Sequence, residues 1–157
     1  MRILKNTLPF VLFVLFNSCD SKQDNAILHA ENKAEGVAFL EENASATGVV
    51  TTQSGLQYKV LKEGSGTAPT GNSSVEVHYH GTFIDGHVFD SSVDRGTSIT
   101  FGLNRVIQGW TEGLQLMRPG AIYKLYIPYN LAYGAQGRGG IPPYSALIFE
   151  VELIQIF

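Results

Sequence analysis

The chain has 157 residues, of which 44% are hydrophobic and 16% are charged. This length and composition supply enough apolar side chains for one compact domain and leave little for a second core. The formal net charge of -3 provides no cationic field for a polyanion, which argues against nucleic acid as a partner.

The first 18 residues have the pattern of a signal peptide. Arg2 and Lys5 supply positive charge, and residues 8–16 (LPFVLFVLF) form a continuous apolar run that is too short to span a bilayer. We therefore expect residues 1–18 to direct export of the rest of the chain.

Cys19 is the only cysteine, so no disulfide forms within this sequence. Residues 16–19 (FNSC) resemble a bacterial lipoprotein cleavage box, in which the cysteine is lipidated and becomes the new N-terminus. Ser18 fits this box, whereas Phe16 and Asn17 depart from its usual aliphatic and small residues. The expectation is an exported, membrane-anchored lipoprotein that faces the periplasm. The alternative is an ordinary signal peptide followed by a chance cysteine.

Residues 19–50 are expected to form a tether and a spacer helix. The polar residues 20–25 (DSKQDN) favour a disordered tether. In residues 26–46, apolar side chains recur mostly at three- and four-residue steps, which predicts an amphipathic helix that Gly36 weakens and Gly48 ends. The apolar stripe consists of Ile27, Ala30, Ala34, Val37, Ala38 and Leu40. Because the stripe is mostly alanine, we expect a solvated spacer, with pairing to a second copy of the helix as the alternative.

Residues 51–157 are predicted to form the main domain. Apolar and polar residues alternate in four of its segments: 56–60, 75–79, 123–127 and 147–153. This alternation predicts an antiparallel sheet with one solvated face. Helical spacing of apolar residues in 105–118 predicts one short helix against the dry face, and the glycines and prolines of 129–144 predict a long loop.

Several polar side chains of this domain allow a second interpretation. Glu76, His78 and His80 share one face of a predicted strand and His87 follows a turn, so a transition-metal site is an alternative use of them. Solvated strand histidines are commoner, and no cysteine or further ligand spacing supports a metal. We expect neither a metal nor any other cofactor.

Five groups of residues, in chain order, resemble the motifs of FKBP domains. They are residues 77–81 (VHYHG), 86–92 (GHVFDSS), 106–110 (VIQGW), 132–134 (AYG), and 141–143 (IPP) leading into 147–153 (LIFEVEL). The resemblance runs from about Thr51 to Phe157. In addition, residues 39–43 (FLEEN) followed by 54–58 (SGLQY) are similar to the secreted bacterial subgroup that includes the macrophage infectivity potentiators.

The resemblance implies an α+β fold, in which a curved antiparallel sheet wraps around one short helix and the substrate pocket lies between them. It puts Trp110 at the floor of the pocket and makes Asp90 the polar member, with Arg95 close to Asp90. The apolar walls implied by the family are Tyr79, Phe89, Val106, Ile107, Tyr133, Ile141 and Phe149.

The family also implies how a peptide is held. The backbone N–H at the position of Ile107 and the hydroxyl at the position of Tyr133 hold carbonyls of the bound peptide. Ile99 occupies a position that is often aromatic, which predicts a more open pocket rim and an altered preference for the residue before proline.

The activity that the resemblance implies is peptidyl-prolyl cis/trans isomerisation, with Asp90, Ile107 and Tyr133 as catalytic residues. The implied ligands are proline-containing unfolded or exported polypeptides and macrolide inhibitors. An aromatic pocket suits this reaction, because rotation about an X-Pro bond breaks no covalent bond and needs no nucleophile. Asp90 is then expected to orient or polarise rather than to transfer a proton. The alternative is a non-catalytic peptide-binding or chaperone module that uses the same groove.

Overall fold

The computed structural model describes residues 20–157, and the expectations for the signal segment and for Cys19 lie outside the described residues. The described chain forms two α-helices and seven strands. In chain order they are α1 (Asp20–Asn43), β1 (Val49–Thr51), β2 (Gln57–Lys62), β3 (Ser74–Phe83), β4 (Val88–Ser91), β5 (Ile99–Gly102), α2 (Gln108–Gln115), β6 (Ile122–Ile127) and β7 (Leu147–Ile156). Short 3-10 turns occupy Leu103–Arg105 and Tyr129–Leu131. None of the helices in this range is long and apolar enough to cross a membrane.

All strand pairs are antiparallel, and the sheet runs in the order β1-β2-β6-β7-β3-β4. The edge of β3 that faces away from β7 is shared, because β5 pairs with residues 74–77 and β4 pairs with residues 80–82. The predicted α+β arrangement, an antiparallel sheet around one short helix, is therefore confirmed.

The core lies between the sheet and α2. Alternate residues of β3 and β7 are buried, as the period-two pattern predicts. Helix α2 turns Gly109, Trp110, Gly113 and Leu114 inward. Its two glycines allow the helix axis to approach β6 closely, since a Cβ on Gly109 would stand 2.4 Å from Ile127 Cγ2.

The three short strands β1, β4 and β5 have no counterpart in the sequence prediction. Each has only three or four residues, and β5 is exposed over its first half, so the alternation signal is weak. These segments become strands because β2 or β3 supplies hydrogen-bonding partners for their backbone groups. The sheet consequently begins at Val49, two residues before the predicted start of the main domain.

The segment 20–25 is helical, so the prediction of a disordered tether is wrong there. Residues 20–25 contain no glycine or proline, and they continue a helix of 24 residues. A helix already nucleated by the downstream residues adds one backbone hydrogen bond for each further residue, which favours extension through a polar segment.

Helix α1 lies against the main domain and is not the solvated spacer that the sequence predicts. Asn32 Nδ2 donates to the Pro143 carbonyl at 3.2 Å, and Gln57 Nε2 donates to the Leu40 carbonyl at 2.7 Å. The ring of Phe39 lies 6.1 Å from that of Tyr126. The predicted apolar stripe mostly points the other way, and its Ile27 and Val37 are 51% and 42% exposed.

Gly36 is a residue of α1 that packs closely against the domain. It is buried, and a Cβ there would stand 3.1 Å from Ala146 Cβ. A leucine at this position would exceed the available space, and overpacking of this kind costs about 1–3 kcal/mol. The glycine that weakens the isolated helix therefore permits its docking.

We expect Gly36→Leu to separate α1 from the domain and to lower the hydrogen-exchange protection of α1 amides by at least about tenfold. Protection in β3 and β7 should persist, because these strands pair with each other over their whole length. Ala34→Leu adds the same side chain at an exposed position of the same helix and should leave protection unchanged. Equal protection in the two variants would show that α1 is not held by this contact.

Candidate active site

A cavity of about 730 Å³ opens between the sheet and the N-terminal end of α2. Six parts of the chain contribute to it: β3, β4, β5, the segment from the first 3-10 turn into α2, the loop that precedes β7, and β7 itself. Its lining consists of Tyr79, Phe89, Asp90, Ile99, Phe101, Arg105, Val106, Ile107, Trp110, Ala132, Tyr133, Arg138, Gly140, Ile141 and Phe149.

Aromatic rings build the deepest part of this cavity around Trp110. The indole is surrounded by the rings of Tyr79, Phe101 and Phe149, with centroid separations of 5.2, 5.2 and 5.1 Å. Phe89 continues the wall at 5.3 Å from Phe149. The edge-to-face arrangement of most of these pairs is the geometry that aromatic quadrupoles prefer, so the rings hold one another in place.

Gly81 makes room for two of these walls. A Cβ on Gly81 would stand 2.8 Å from Phe149 Cε1 and 2.9 Å from Phe89 Cζ. Strand β3 can thus pass directly beneath both rings only because this residue has no side chain.

The one carboxylate in the cavity is held by two neighbouring side chains. The Tyr79 hydroxyl donates to Asp90 Oδ2, and Arg95 Nη1 donates to Asp90 Oδ1. Arg95 Nη2 also donates to the Tyr79 hydroxyl at 2.9 Å, and the guanidinium lies 5.7 Å from the Tyr79 ring centroid. Both carboxylate oxygens of Asp90 are therefore occupied by donors within the protein.

Hydrogen bonds of Ser91 and Ser92 hold the turn after β4 that brings Arg95 to Asp90. Ser92 is fully buried, accepts the Tyr79 backbone N–H on its Oγ at 2.8 Å, and donates its own N–H to the Tyr79 carbonyl at 3.0 Å. Ser91 Oγ accepts the Asp94 N–H at 3.1 Å. These bonds fix the turn that follows β4, and the turn carries the guanidinium back over Tyr79.

This network moves the two pKa values in opposite directions. Partial burial acts to raise the pKa of the Asp90 carboxyl, but the hydrogen bonds from Tyr79 and Arg95 outweigh it, and the net pKa lies below its ordinary value. Burial, followed by the hydrogen bond to Asp90, raises the pKa of the Tyr79 hydroxyl. Asp90 is thus held as a carboxylate and Tyr79 as a neutral donor.

The loop between β6 and β7 forms the far wall and is held by its own backbone bonds. Arg138 and Ile141 exchange two hydrogen bonds of 3.0 Å each, and the Tyr144 N–H donates to the Gly134 carbonyl at 3.0 Å. Tyr144 adopts a φ of 60°, which is uncommon for a residue with a side chain. The predicted long loop is thus present and is ordered by specific contacts.

Helix α2 begins beside the cavity, and N–H groups at its N-terminus have no acceptor within the helix. Ile107 is its N-cap residue, and its side chain makes no capping hydrogen bond. The first N–H groups of a helix lack partners within that helix, so they are available to an acceptor from outside. In residues 20–157, the Ile107 N–H takes part in none of the backbone hydrogen bonds of turns, loops and caps.

All but one of the side chains that the FKBP resemblance implies for the pocket line this one cavity. The exception is Arg95, which lies behind Asp90 and contacts the cavity only through Asp90 and Tyr79. Ile99 stands at the rim and is 39% exposed. The roles assigned to these residues remain predictions.

Sequence reasoning missed three lining side chains with large or charged groups, namely Phe101, Arg105 and Arg138. A signal for Phe101 existed, because it follows Ile99 by two residues and therefore shares its face of β5. The two arginines carry no such signal, since they come from a 3-10 turn and from the irregular loop.

Two of the three histidines considered as metal ligands, His78 and His80, bond to serines. His78 Nδ1 lies 3.1 Å from Ser92 Oγ, and His80 Nδ1 lies 3.0 Å from Ser91 Oγ. Glu76 instead accepts hydrogen bonds from Ser98 and Gln155. Within residues 20–157 no three metal-binding side chains form a group suited to an ion.

Two family sequence profiles match the chain. The family described as FKBP-type peptidyl-prolyl cis-trans isomerase matches residues 65–154, which hold most of the sheet and the whole cavity. The domain described as amino terminal to FKBP-type peptidyl-prolyl isomerase matches residues 13–60.

Individual relatives agree with these profiles. The chain is 52% identical to the FKBP-type peptidyl-prolyl cis-trans isomerase FkpA of Aeromonas hydrophila, over 80% of this chain and 47% of that protein. It is 48% identical to the macrophage infectivity potentiator of Trypanosoma cruzi, over 93% of this chain and 80% of that protein. The chain thus spans about half of the length of the first relative and most of the second.

A solved structure shows the same fold. The crystal structure of FkpA from Escherichia coli matches with a TM-score of 0.83 and 44% sequence identity, and the match covers 86% of this chain and 63% of that one. The similarity therefore includes both the domain that holds the cavity and much of the segment before it.

Proposed function

The chain belongs to the FKBP-type peptidyl-prolyl cis-trans isomerase family, and from this premise we propose that it isomerises X-Pro peptide bonds in the cavity over Trp110. The observation that carries the proposal is the lining of that cavity. Eleven of the 15 lining residues are aromatic or aliphatic, and within residues 20–157 no serine, cysteine, lysine or histidine lines the cavity. Its one carboxylate is already bound by Tyr79 and Arg95.

Such a lining suits a reaction without bond breaking. Resonance gives the C–N bond partial double-bond character and a rotation barrier of ~18–20 kcal/mol. The planar amide carries more charge separation than the twisted amide, so transfer from water to an apolar cavity disfavours the planar form relative to the twisted one. A ten-thousandfold acceleration requires ~5.4 kcal/mol of stabilisation that is realised only in the twisted state.

Each named residue has a task in this proposal. The indole of Trp110 supports the proline ring, while Tyr79, Phe89 and Phe149 exclude water from it. The Ile107 N–H and the Tyr133 hydroxyl hold peptide carbonyls, which fixes the substrate while one bond rotates. Asp90 and Arg95 orient the Tyr79 ring and its hydroxyl.

The substrates in this proposal are proline-containing stretches of unfolded or exported polypeptides, and macrolides would compete for the same cavity. We further propose that the signal segment directs export and that a lipid on Cys19 anchors the chain to a membrane, facing the periplasm. Arg2, Lys5 and the apolar residues 8–16 support export, and Ser18-Cys19 supports lipidation. Labelling of Cys19 by a fatty-acid analogue, and its loss in Cys19→Ser, tests the anchor.

The decisive test of the enzymatic proposal is turnover of a short X-Pro peptide by residues 20–157. An isomerase speeds the cis-to-trans exchange above the spontaneous rate, whereas a module that only holds peptides leaves the exchange unchanged or slower. A fragment that binds the peptide but does not accelerate exchange would refute the enzyme and favour the holder.

We expect Asp90→Asn to keep kcat/KM within about tenfold of the original, because Asp90 orients Tyr79 and transfers no proton. The wild-type kcat/KM should also be flat from about pH 5 to pH 8.5. The pKa of Asp90 lies below its ordinary value of about 3.9, and that of Tyr79 lies above about 10, so neither group titrates in this range.

The lowered pKa of Asp90 also determines how the stability of the folded protein changes with pH. Because the pKa of Asp90 is lowered in the folded state, its stabilising contribution is complete above about pH 4 and is lost as the pH falls through the folded value.

Asp94→Asn is the matched control for the activity of Asp90→Asn, since it removes the same charge from the exposed turn beside the site. Loss of all turnover in Asp90→Asn, together with an acidic limb in the wild-type profile, would contradict an orienting role.

A further inference from the structure

A second concavity, of about 320 Å³, lies on the outer side of the wall that closes the first cavity. We refer to it as the acidic groove. It is bounded by α1, by the hairpin that joins β3 to β4, and by the loop before β7. The lining residues that matter here are Glu35, Phe83, Asp85, His87 and Pro142.

Two carboxylates approach the acidic groove from different elements. Glu35 comes from α1 and Asp85 from the β3–β4 hairpin, and both are exposed. Asp85 Oδ1 accepts the His87 backbone N–H at 2.9 Å, which fixes the position of that carboxylate. The ion pairs found within residues 20–157 join other residues, so neither carboxylate is neutralised by a protein cation there.

The groove also offers an apolar surface next to these charges. The Phe83 ring stacks on the His87 imidazole, with 6.3 Å between centroids and 11° between planes, and Pro142 lies opposite on the loop. A lysine or arginine side chain needs this combination, because its methylene stem packs on apolar atoms while its charged head reaches carboxylates or water.

The acidic groove and the cavity over Trp110 share one thin wall. Ile141 lines the cavity and the next residue, Pro142, lines the groove. On the other side, ring contacts run from Phe83 to Phe89 at 5.0 Å, from Phe89 to Phe149 at 5.3 Å and from Phe149 to Trp110 at 5.1 Å. These ring contacts run through the protein interior, so a peptide that reaches both sites must pass over the outside of the wall. At about 3.3 Å per residue, an extended segment of three to seven residues covers roughly 10–23 Å.

We propose that the acidic groove is a second subsite for the polypeptide that binds over Trp110, and that it takes a lysine or arginine three to seven residues from the proline. The inference rests on the proposed function, because it assumes that the first cavity holds proline. It adds a preference for a cationic side chain at a distance from the rotating bond, which the aromatic cavity itself does not provide.

The test uses residues 20–157 and two matched series of X-Pro peptides. One series carries a single lysine at each position from three to seven residues before or after the proline, and the other carries norleucine, which keeps the stem and removes the charge. We expect the ratio of kcat/KM for lysine over norleucine to reach about three- to tenfold within one narrow window of positions. The ratio should fall as salt is added, since both carboxylates are exposed.

Variants of the two carboxylates separate this subsite from general attraction to a negatively charged protein. The ratio should approach one in the double variant Glu35→Gln/Asp85→Asn. Glu41→Gln/Glu42→Gln removes the same number of charges from α1 outside the groove, and it should leave the ratio unchanged. A ratio near one at every position, a ratio that is equal at all positions, or a ratio that survives in the groove double variant would each overturn the proposal.

If the chain is not an isomerase, the same experiment gives a different result. Norleucine peptides would then show no acceleration in any variant, and the same lysine-to-norleucine comparison would be made with the dissociation constants of labelled peptides by fluorescence anisotropy. A three- to tenfold difference in affinity that requires Glu35 and Asp85 would support the subsite even without catalysis, and equal affinities would overturn it.

Discussion

Trp110→Ala is expected to lower the free energy of unfolding by about 3–5 kcal/mol, which is the usual cost of removing a buried large aromatic side chain. The indole is only 5% exposed and contacts three other rings, so no neighbour can fill the space without abandoning its own contacts. Chemical denaturation of residues 20–157 measures the change. Because folded domains are stable by only about 5–15 kcal/mol, we expect this variant to be partly unfolded at working temperature.

Trp110→Leu is the variant in which the effect on activity is measured. It keeps an apolar side chain in the core but removes the flat floor beneath the substrate. A proline ring presents three methylene groups, each worth about 0.8 kcal/mol when buried, so losing about half to all of this contact lowers kcat/KM by about ten- to fiftyfold.

Tyr123→Leu provides the matched control for stability. Tyr123 is 6% exposed, stacks on Tyr58 at 5.7 Å, and lies outside the cavity lining. We expect it to destabilise the domain while kcat/KM at a temperature where both variants are folded stays within about twofold. If the two leucine variants lost activity in parallel with stability, Trp110 would be a core residue without a role in the reaction.

Gly109→Ala is expected to destabilise the domain by about 1–3 kcal/mol, although alanine favours an isolated helix over glycine by about 1 kcal/mol. The added methyl group would stand 2.4 Å from Ile127 Cγ2 and 3.0 Å from Ile127 Cδ1. Ile127 is fully buried in β6 and cannot turn away, so α2 must move outward. Trp110 follows Gly109 directly, and the movement should therefore lower kcat/KM several-fold as well.

Denaturation and peptide turnover measure these two effects. Gly71→Ala is the control, because the nearest atoms to a Cβ there are 3.8 Å away and belong to the flexible side chain of Gln115. That substitution should change the free energy of unfolding by less than about 1 kcal/mol, and we expect the change to be stabilising. A Gly109→Ala protein as stable as the original would mean that α2 does not press against β6 as closely as the structure has it.

The period-two patterns of β3, β6 and β7 were sufficient to predict the sheet. Alternation in these strands is strong because one face is buried over most of their length, so each apolar residue reports directly on its environment. The motifs then identified side chains of one cavity, although they come from strands that are far apart in the chain. Phe101 was within reach of the same reasoning, since it shares a face with Ile99.

The docked face of the N-terminal helix could not be predicted from apolar periodicity. The apolar stripe that includes Ile27 and Val37 faces solvent, whereas the docked face uses Asn32, Gly36 and Phe39. A polar amide, a glycine and one aromatic ring do not form a hydrophobic stripe. They become a docking face only because a carbonyl, a small side chain and another ring stand opposite them.

The sequence by itself determined the elements that are held by many buried apolar side chains at regular spacing. These are the long strands, the short core helix and the aromatic set around Trp110. Hydrophobic burial is roughly proportional to area and does not depend on direction, so a linear pattern of apolar residues records it. Only the tertiary structure decided the docking of α1, the hydrogen bond from Arg95 to the Tyr79 hydroxyl, and the acidic groove. Each of these depends on hydrogen bonds, charges or close approach between particular atoms from distant segments, and such pair-specific interactions leave no period in the chain.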